Sequence, residues 1–228
     1  MTQPAPRLER PRSLTDLVTE HLRRWIITGE MELGSKLSEA KIARELDVSR
    51  TPVREAINRL EIEGLLNVEA QRGSFVFTLS PGELGKLCDA RICLEAAALT
   101  TGIQSSSEAL HAALSDILHQ MDEARAANDD TRYIDLDAEF HLRIIGAADN
   151  TFMTEAYNTM APRMSALRHR LGRHPVHMEK SYREHCALLE AIRDKNLERA
   201  LQILRSHIDR KEGNYWSEGE QAGTKAIA

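Results

Sequence analysis

Apolar residues recur along this chain at two different periods, and the change between them divides it. Residues 14–28 carry Leu17, Val18, Leu22, Trp25 and Ile26 at helical spacing, which predicts a first helix with Trp25 on its core side. Gly29 and Gly34 bracket a short turn. Two further helices meet at the corner Leu46-Asp47-Val48-Ser49 between positions 38 and 65. Ile42, Ala43 and Leu46 give the first its apolar face, and Val53, Ala56, Ile57 and Leu60 the second. A stop at Gly64, apolar alternation over 65–68, a turn ending in Arg72-Gly73 and alternation over 74–78 predict a two-stranded hairpin. The first part of the chain therefore reads as a winged helix-turn-helix.

After Ser80-Pro81-Gly82 the period becomes helical almost to the end. Six helices are expected, over 83–101, 106–128, 131–148, 151–171, 176–194 and 197–215, folding as an antiparallel bundle. The fold class is thus mainly α, with a winged helix-turn-helix at 13–79, a linker at 80–82 and a helical domain at 83–216. Residues 1–12, with three prolines and three arginines, read as a flexible arm, and 217–228 as a flexible tail.

Charge changes this picture in one respect. The net charge of −5 looks unsuited to a polyanionic partner, yet residues 1–80 hold 12 Lys+Arg against 12 Asp+Glu, so the acidity lies in the second part. Any nucleic-acid contact must come from a local cluster of arginines and from two copies of the module. Three cysteines without metal-finger spacing read as reduced core thiols. The N-terminal stretch lacks the apolar region of a secretion signal and no apolar run is long enough to cross a bilayer, which points to a cytoplasmic protein without a membrane partner.

The candidate chemistry of the first part sits at the start of its third helix. Ser49 is placed to cap that helix, and Ser49, Arg50, Thr51 and Arg54 crowd its exposed N-terminal end, the end that such proteins insert into the major groove. Arginine pairs bidentately with guanine and hydroxyls reach phosphates. These residues resemble the GntR family of bacterial transcription regulators. Its pattern is met by Leu37, Glu39, Val48 to Ala56, Leu60 to Leu65 and Arg72-Gly73, over roughly residues 13 to 79. The resemblance implies that Arg50 and Arg54 contact bases or phosphates, Ser49 and Thr51 the DNA backbone, and the wing tip at Arg72 and Gly73 the minor groove. Ala40 or Lys41 stands where some relatives carry a DNA-contacting arginine, so that contact is not carried over.

In the second part, Asp137 and His141 lie four apart in a stripe with Ile134, Ile145 and Ala148. His185 shares a face with Leu188, Leu189 and Ile192, and His207 with Leu197, Ala200, Leu204 and Ile208. A turn at Lys195-Asn196 would bring His185 and His207 nearly level, so one carboxylate and three imidazoles converge inside the bundle. Such a set suits a divalent transition metal: zinc first, with nickel, iron, copper or manganese as alternatives. A hydrogen-bonded core role is the competing reading of each histidine alone. His169, His174 and His177, near helix ends, are expected to be exposed.

This half resembles the ligand domain of the FadR branch of the same family, the FCD type. The match lies in Asp137-Phe140-His141, Asn150, Glu184 to Ile192 and Ala200 to Ile208, and six helices point to the VanR type within that branch. The resemblance implies a metal on Asp137, His141, His185 and His207 beside a cavity for a small carboxylate effector. Arg91, in Arg91-Ile92-Cys93-Leu94-Glu95, would hold the effector carboxylate, with a salt bridge to Glu95 as the alternative. Asn150 would orient the effector or cap a helix.

The expectation is therefore a homodimeric DNA-binding regulator, a repressor, that reads a pseudo-palindromic operator in double-stranded DNA. It would answer to a sugar acid, a di- or tricarboxylate or an aromatic acid. A regulator for which the metal itself is the signal is the second reading. A metal-dependent hydrolase is the third, weakened because no general base stands beyond the ligands.

Overall fold

The computed structural model describes residues 12–209. It divides into two compact units, one formed by residues up to Phe77 and the other from Thr78 onward, with Ile27–Gly29 grouped with the second. Among the described residues there are nine helices and one two-stranded sheet.

The first unit holds α1 (Leu14–Thr28), α2 (Glu39–Glu45), α3 (Arg50–Ile62), β1 (Leu66–Glu69) and β2 (Gly73–Val76). Its core is the predicted stripe: Val18, Leu22, Ile26, Ile42, Val53, Ala56, Ile57 and Leu60 are all buried. Leu17 is not part of it, being 48% exposed, because positions 15, 18, 19, 22 and 26 define the buried face and 17 falls off it. Trp25 is half-buried, with His21 edge-on to its ring at 4.4 Å. Arg23 on α1 grips Glu63 with two bonds of 2.7 and 2.8 Å, which adds a bidentate tie to the apolar packing. Asp47 takes φ +52° to turn the corner between α2 and α3. Ser49 occupies the N-cap position of α3, but its side chain makes no capping bond, contrary to the sequence reading. Its hydroxyl stays exposed. β1 and β2 pair antiparallel from Leu66↔Val76 to Glu69↔Gly73, and a bridge from Lys36 to Phe75 extends the wing.

In the second unit Ser80-Pro81-Gly82 is no linker. Ser80 and Glu83 form a capping box, and Pro81 opens α4 (Pro81–Ala126). α4 is two helical stretches joined across a kink at Ser106, whose φ −159° and ψ 71° are not helical, so the expected break is present but lies just after 102–105. Gly102 lets α5 approach: a Cβ there would stand 2.8 Å from the Ala147 methyl. Then come α5 (Asp130–Gly146), α6 (Thr151–Asn158), α7 (Ala161–Leu171), α8 (Pro175–Arg193) and α9 (Leu197–Ile208). The single helix expected over 151–171 is two, because the chain turns at Thr159-Met160 and Pro162 is placed in the first turn of a new helix. The division of the predicted six helices is corrected accordingly, and their number no longer argues for one type within the branch.

Lys195 at φ +55° and Asn196, which caps α9 through Arg199 N at 3.1 Å, fold α8 and α9 into the predicted hairpin. α9 ends at Ile208, with Asp209 extended, short of the expected 215; residues 210–215, the tail and residues 1–11 of the arm lie outside the described residues. Of the three free cysteines, Cys88 is buried as expected, whereas Cys93 is exposed.

Candidate metal centre and nucleic-acid face

The four polar residues singled out on apolar faces come together in the second unit. Asp137 and His141 project from one face of α5, His185 from α8 and His207 from α9, all at most 5% exposed. One ligand atom from each can be chosen so that all lie within 4.8 Å of one another. His141 Nε2 stands 3.1 Å from His207 Nε2, and His185 Nε2 lies 3.6 Å from Asp137 Oδ1. Phe140, next to His141, stacks on the His185 ring at 4.2 Å and seals that side.

Each group has an outer partner except one. His141 Nδ1 donates to Glu95 Oε2 (2.6 Å) and His207 Nδ1 to Glu184 Oε2 (2.9 Å). Asp137 accepts the Ser181 hydroxyl at Oδ1 (3.0 Å) and faces Arg168 Nε at Oδ2 (2.8 Å). Neither ring nitrogen of His185 has a hydrogen-bond partner among the described residues.

Burial sets the ionisation of this group. Desolvation, then the Arg91 charge, pushes the His141 imidazole far below its ordinary range; desolvation, then His207, pushes His185 down to about 3. Burial alone would raise the Asp137 carboxyl, but Arg168 and the imidazoles outweigh it and hold it well below the carboxylate range. Neutral imidazoles and an ionised carboxylate are the forms that ligate metals.

The donor set passes the test of fit. With both Nδ1 hydrogens turned to carboxylates, the Nε2 atoms that face each other at 3.1 Å can share one hydrogen or one cation. A nitrogen pair bound to one ion by bonds of about 2.0–2.1 Å has a comparable separation. A divalent cation held by Asp137, His141, His185 and His207 would supply a buried Lewis-acidic anchor for a carboxylate oxygen.

Arg91 is 1% exposed and bonds Glu95 Oε1 through Nε at 2.5 Å, the salt-bridge alternative of the sequence reading. Tyr157 OH donates to the same oxygen at 3.1 Å. Asn150 is exposed and caps α6 through Met153 N at 3.2 Å. A cavity of about 590 Å³ opens beside the cluster, lined by Ala138, Leu142, Arg143, Ser165, Tyr157 and Arg168. Tyr157 and Arg168 join its wall to Glu95 and Asp137.

The sequence reading missed Arg168, Glu184 and the bond from Glu95 to His141. It also placed His169 and His177 at the surface, whereas both are buried and only His174 is exposed. His169 Nε2 meets Asp135 at 2.9 Å. His177, Ser181 and His185 recur every four residues on α8, a spacing that carried the signal.

On the first unit, Ser49, Arg50, Thr51 and Arg54 are exposed together at the N-terminal end of α3. Arg54 is 65% exposed and pairs with Glu39 at 2.9 Å. Arg72, at the wing tip, is 72% exposed and pairs with Glu69, while Gly73 takes φ +107° beside Lys36.

A winged helix-turn-helix joined in sequence to a helical bundle with a buried polar centre defines a two-unit transcriptional regulator. Residues 14–76 match the family of bacterial regulatory proteins called gntR, and residues 86–210 match the FCD domain. The gluconate operon transcriptional repressor of Bacillus subtilis (strain 168) is 30% identical over 197 residues, covering 84% of this chain and 81% of that protein. The Nta operon transcriptional regulator of Aminobacter aminovorans is 34% identical over 131 residues, 58% of this chain and 62% of its own length. The solved structure of a putative transcriptional regulator GntR from Rhodococcus sp. RHA1 superposes with a TM-score of 0.74 at 25% identity, over 94% of this chain and 99% of that one. The chain belongs to the GntR family and carries an FCD domain. It is a transcriptional regulator, not an enzyme, which removes the hydrolase reading. No helix among the described residues is long and apolar enough to cross a membrane.

Proposed function

We propose that this chain is a cytoplasmic repressor that binds a pseudo-palindromic operator as a homodimer and is controlled by a small carboxylate acting at a metal held by Asp137, His141, His185 and His207. The pair of facing Nε2 atoms at 3.1 Å carries this reading, because both point to the place where the four buried donors meet within 4.8 Å of one another. Zinc suits three imidazoles and one carboxylate, and nickel, iron or manganese are the alternatives. Arg50 and Arg54 contact bases or phosphates, Ser49 and Thr51 the DNA backbone, and Arg72 and Gly73 the minor groove.

The cavity of about 590 Å³ gives the effector its room, and Arg143 and Arg168 supply positive charge in its wall beside one acid, Glu139. The effector switches the protein only if it binds one dimer arrangement better than the other. Relatives named for a gluconate operon put sugar acids first among the candidates. The burial of all four donors supports a resident metal over a freely exchanging metal signal. Operator binding of the full chain, measured with and without gluconate, citrate and benzoate in zinc-loaded and chelator-treated protein, tests the reading. A carboxylate effect that needs the metal supports it; indifference to all three acids and to metal contradicts it.

A further inference from the structure

We propose that Glu95 and Glu184 are positioning residues, each fixing one imidazole so that the Nε2 atoms of His141 and His207 are turned toward a shared cation. The inference rests on the metal reading above and names the groups that prepare its ligands.

An ionised carboxylate only accepts hydrogen bonds. Glu95 Oε2 at 2.6 Å and Glu184 Oε2 at 2.9 Å therefore require a hydrogen on Nδ1 of His141 and on Nδ1 of His207. At the other edge of the rings, two N–H groups cannot face each other across 3.1 Å, so at most one hydrogen lies between the Nε2 atoms. The two carboxylates come from different helices: Glu95 from α4, Glu184 from α8 one residue before His185. Both are themselves held in place. Arg91 and Tyr157 fix Oε1 of Glu95, and Lys180 reaches Oε1 of Glu184 at 2.7 Å. A held carboxylate fixes both the ring orientation and the tautomer, and raises the basicity of the opposite nitrogen.

Glu95 also extends the site outward. Its Oε1 is bonded by Tyr157, whose side chain lines the cavity of about 590 Å³, while its Oε2 holds an imidazole of the cluster. A ligand that moves Tyr157 or Arg91 thus acts on the orientation of His141 through one carboxylate.

The test has two arms on the full chain. Ring ¹⁵N NMR of the metal-free protein reads the tautomers directly: both Nδ1 atoms of His141 and His207 should carry hydrogen. An Nδ1 without hydrogen on either ring overturns the proposal, whatever the protein's affinity for metal. Competition for Zn²⁺ against a chromophoric chelator is the second arm. Glu184→Gln and Glu95→Gln should each weaken zinc binding roughly 10- to 100-fold. Wild-type affinity in Glu184→Gln overturns the proposal, and that partly exposed site keeps the test open should Glu95→Gln fail to fold. A wild-type protein that binds no zinc defeats the metal reading instead, and the tautomers still decide this one.

Discussion

Arg168 places its Nε 2.8 Å from Oδ2 of Asp137, so one oxygen of the cluster's only carboxylate already faces a fixed positive charge. Oδ1, shared with the Ser181 hydroxyl, is the atom left to reach an ion. The guanidinium thus does for Asp137 what Glu95 and Glu184 do for their imidazoles: it fixes the orientation of a ligand from outside.

Arg168→Met should destabilise the metal-free protein by about 3–5 kcal/mol, because it leaves a buried carboxylate without its charge partner. Saturating zinc should recover part of the loss. Urea unfolding with and without zinc measures both; equal stability of variant and wild type without metal would show that the pair carries no weight.

Arg54→Ala should weaken specific operator binding of the dimer by roughly 10²- to 10⁴-fold, the loss of one bidentate base contact in each of two half-sites. Its exposed pair with Glu39 contributes about 0–1 kcal/mol, so thermal stability should barely change. Operator titration by fluorescence anisotropy reads the first effect and a melt reads the second. Unchanged binding would remove α3 from its assigned role.

Gly102→Ala tests the packing that sets α4 against α5. Alanine favours a helix, yet its methyl would meet the Ala147 methyl at 2.8 Å and Leu110 Cδ2 at 3.0 Å. The expected outcome is destabilisation by about 1–3 kcal/mol in urea. A gain of the size expected from helix propensity would mean that the two helices yield there.

Why some of this could be read from the chain and some could not follows from where the signals lie. Asp137 and His141 stand four apart on a helix with clear apolar flanks, and the level of His185 with His207 follows from counting outward from one turn, so the cluster was legible as a pattern. Arg168 was not, because Arg163, His169, Arg170 and Arg173 around it look like a solvated face. The turn at Thr159-Met160 starts a new helix whose orientation no periodicity reports. Ser49 fits the composition of a cap but leaves its hydroxyl exposed, since a side-chain bond depends on a rotamer that spacing does not encode. Glu95 was visible only as the partner of Arg91 four residues earlier; its bond to His141 crosses from α4 to α5 and needs the tertiary fold.

Zinc at about 100 times its dissociation constant should stabilise the wild-type protein by about 2.7 kcal/mol and His185→Ala by far less. Chelator titration followed by thermal melting shows this as a shift present in one protein and lost in the other. A shift of equal size in both would place the metal elsewhere.

The most direct measurement is an anomalous-difference map, at the zinc edge, from crystals of the zinc-loaded full chain. The account predicts one strong peak per chain within bonding distance of Asp137, His141, His185 and His207. A map without that peak, with Nε2 of His141 and His207 joined by a hydrogen bond instead, would contradict it.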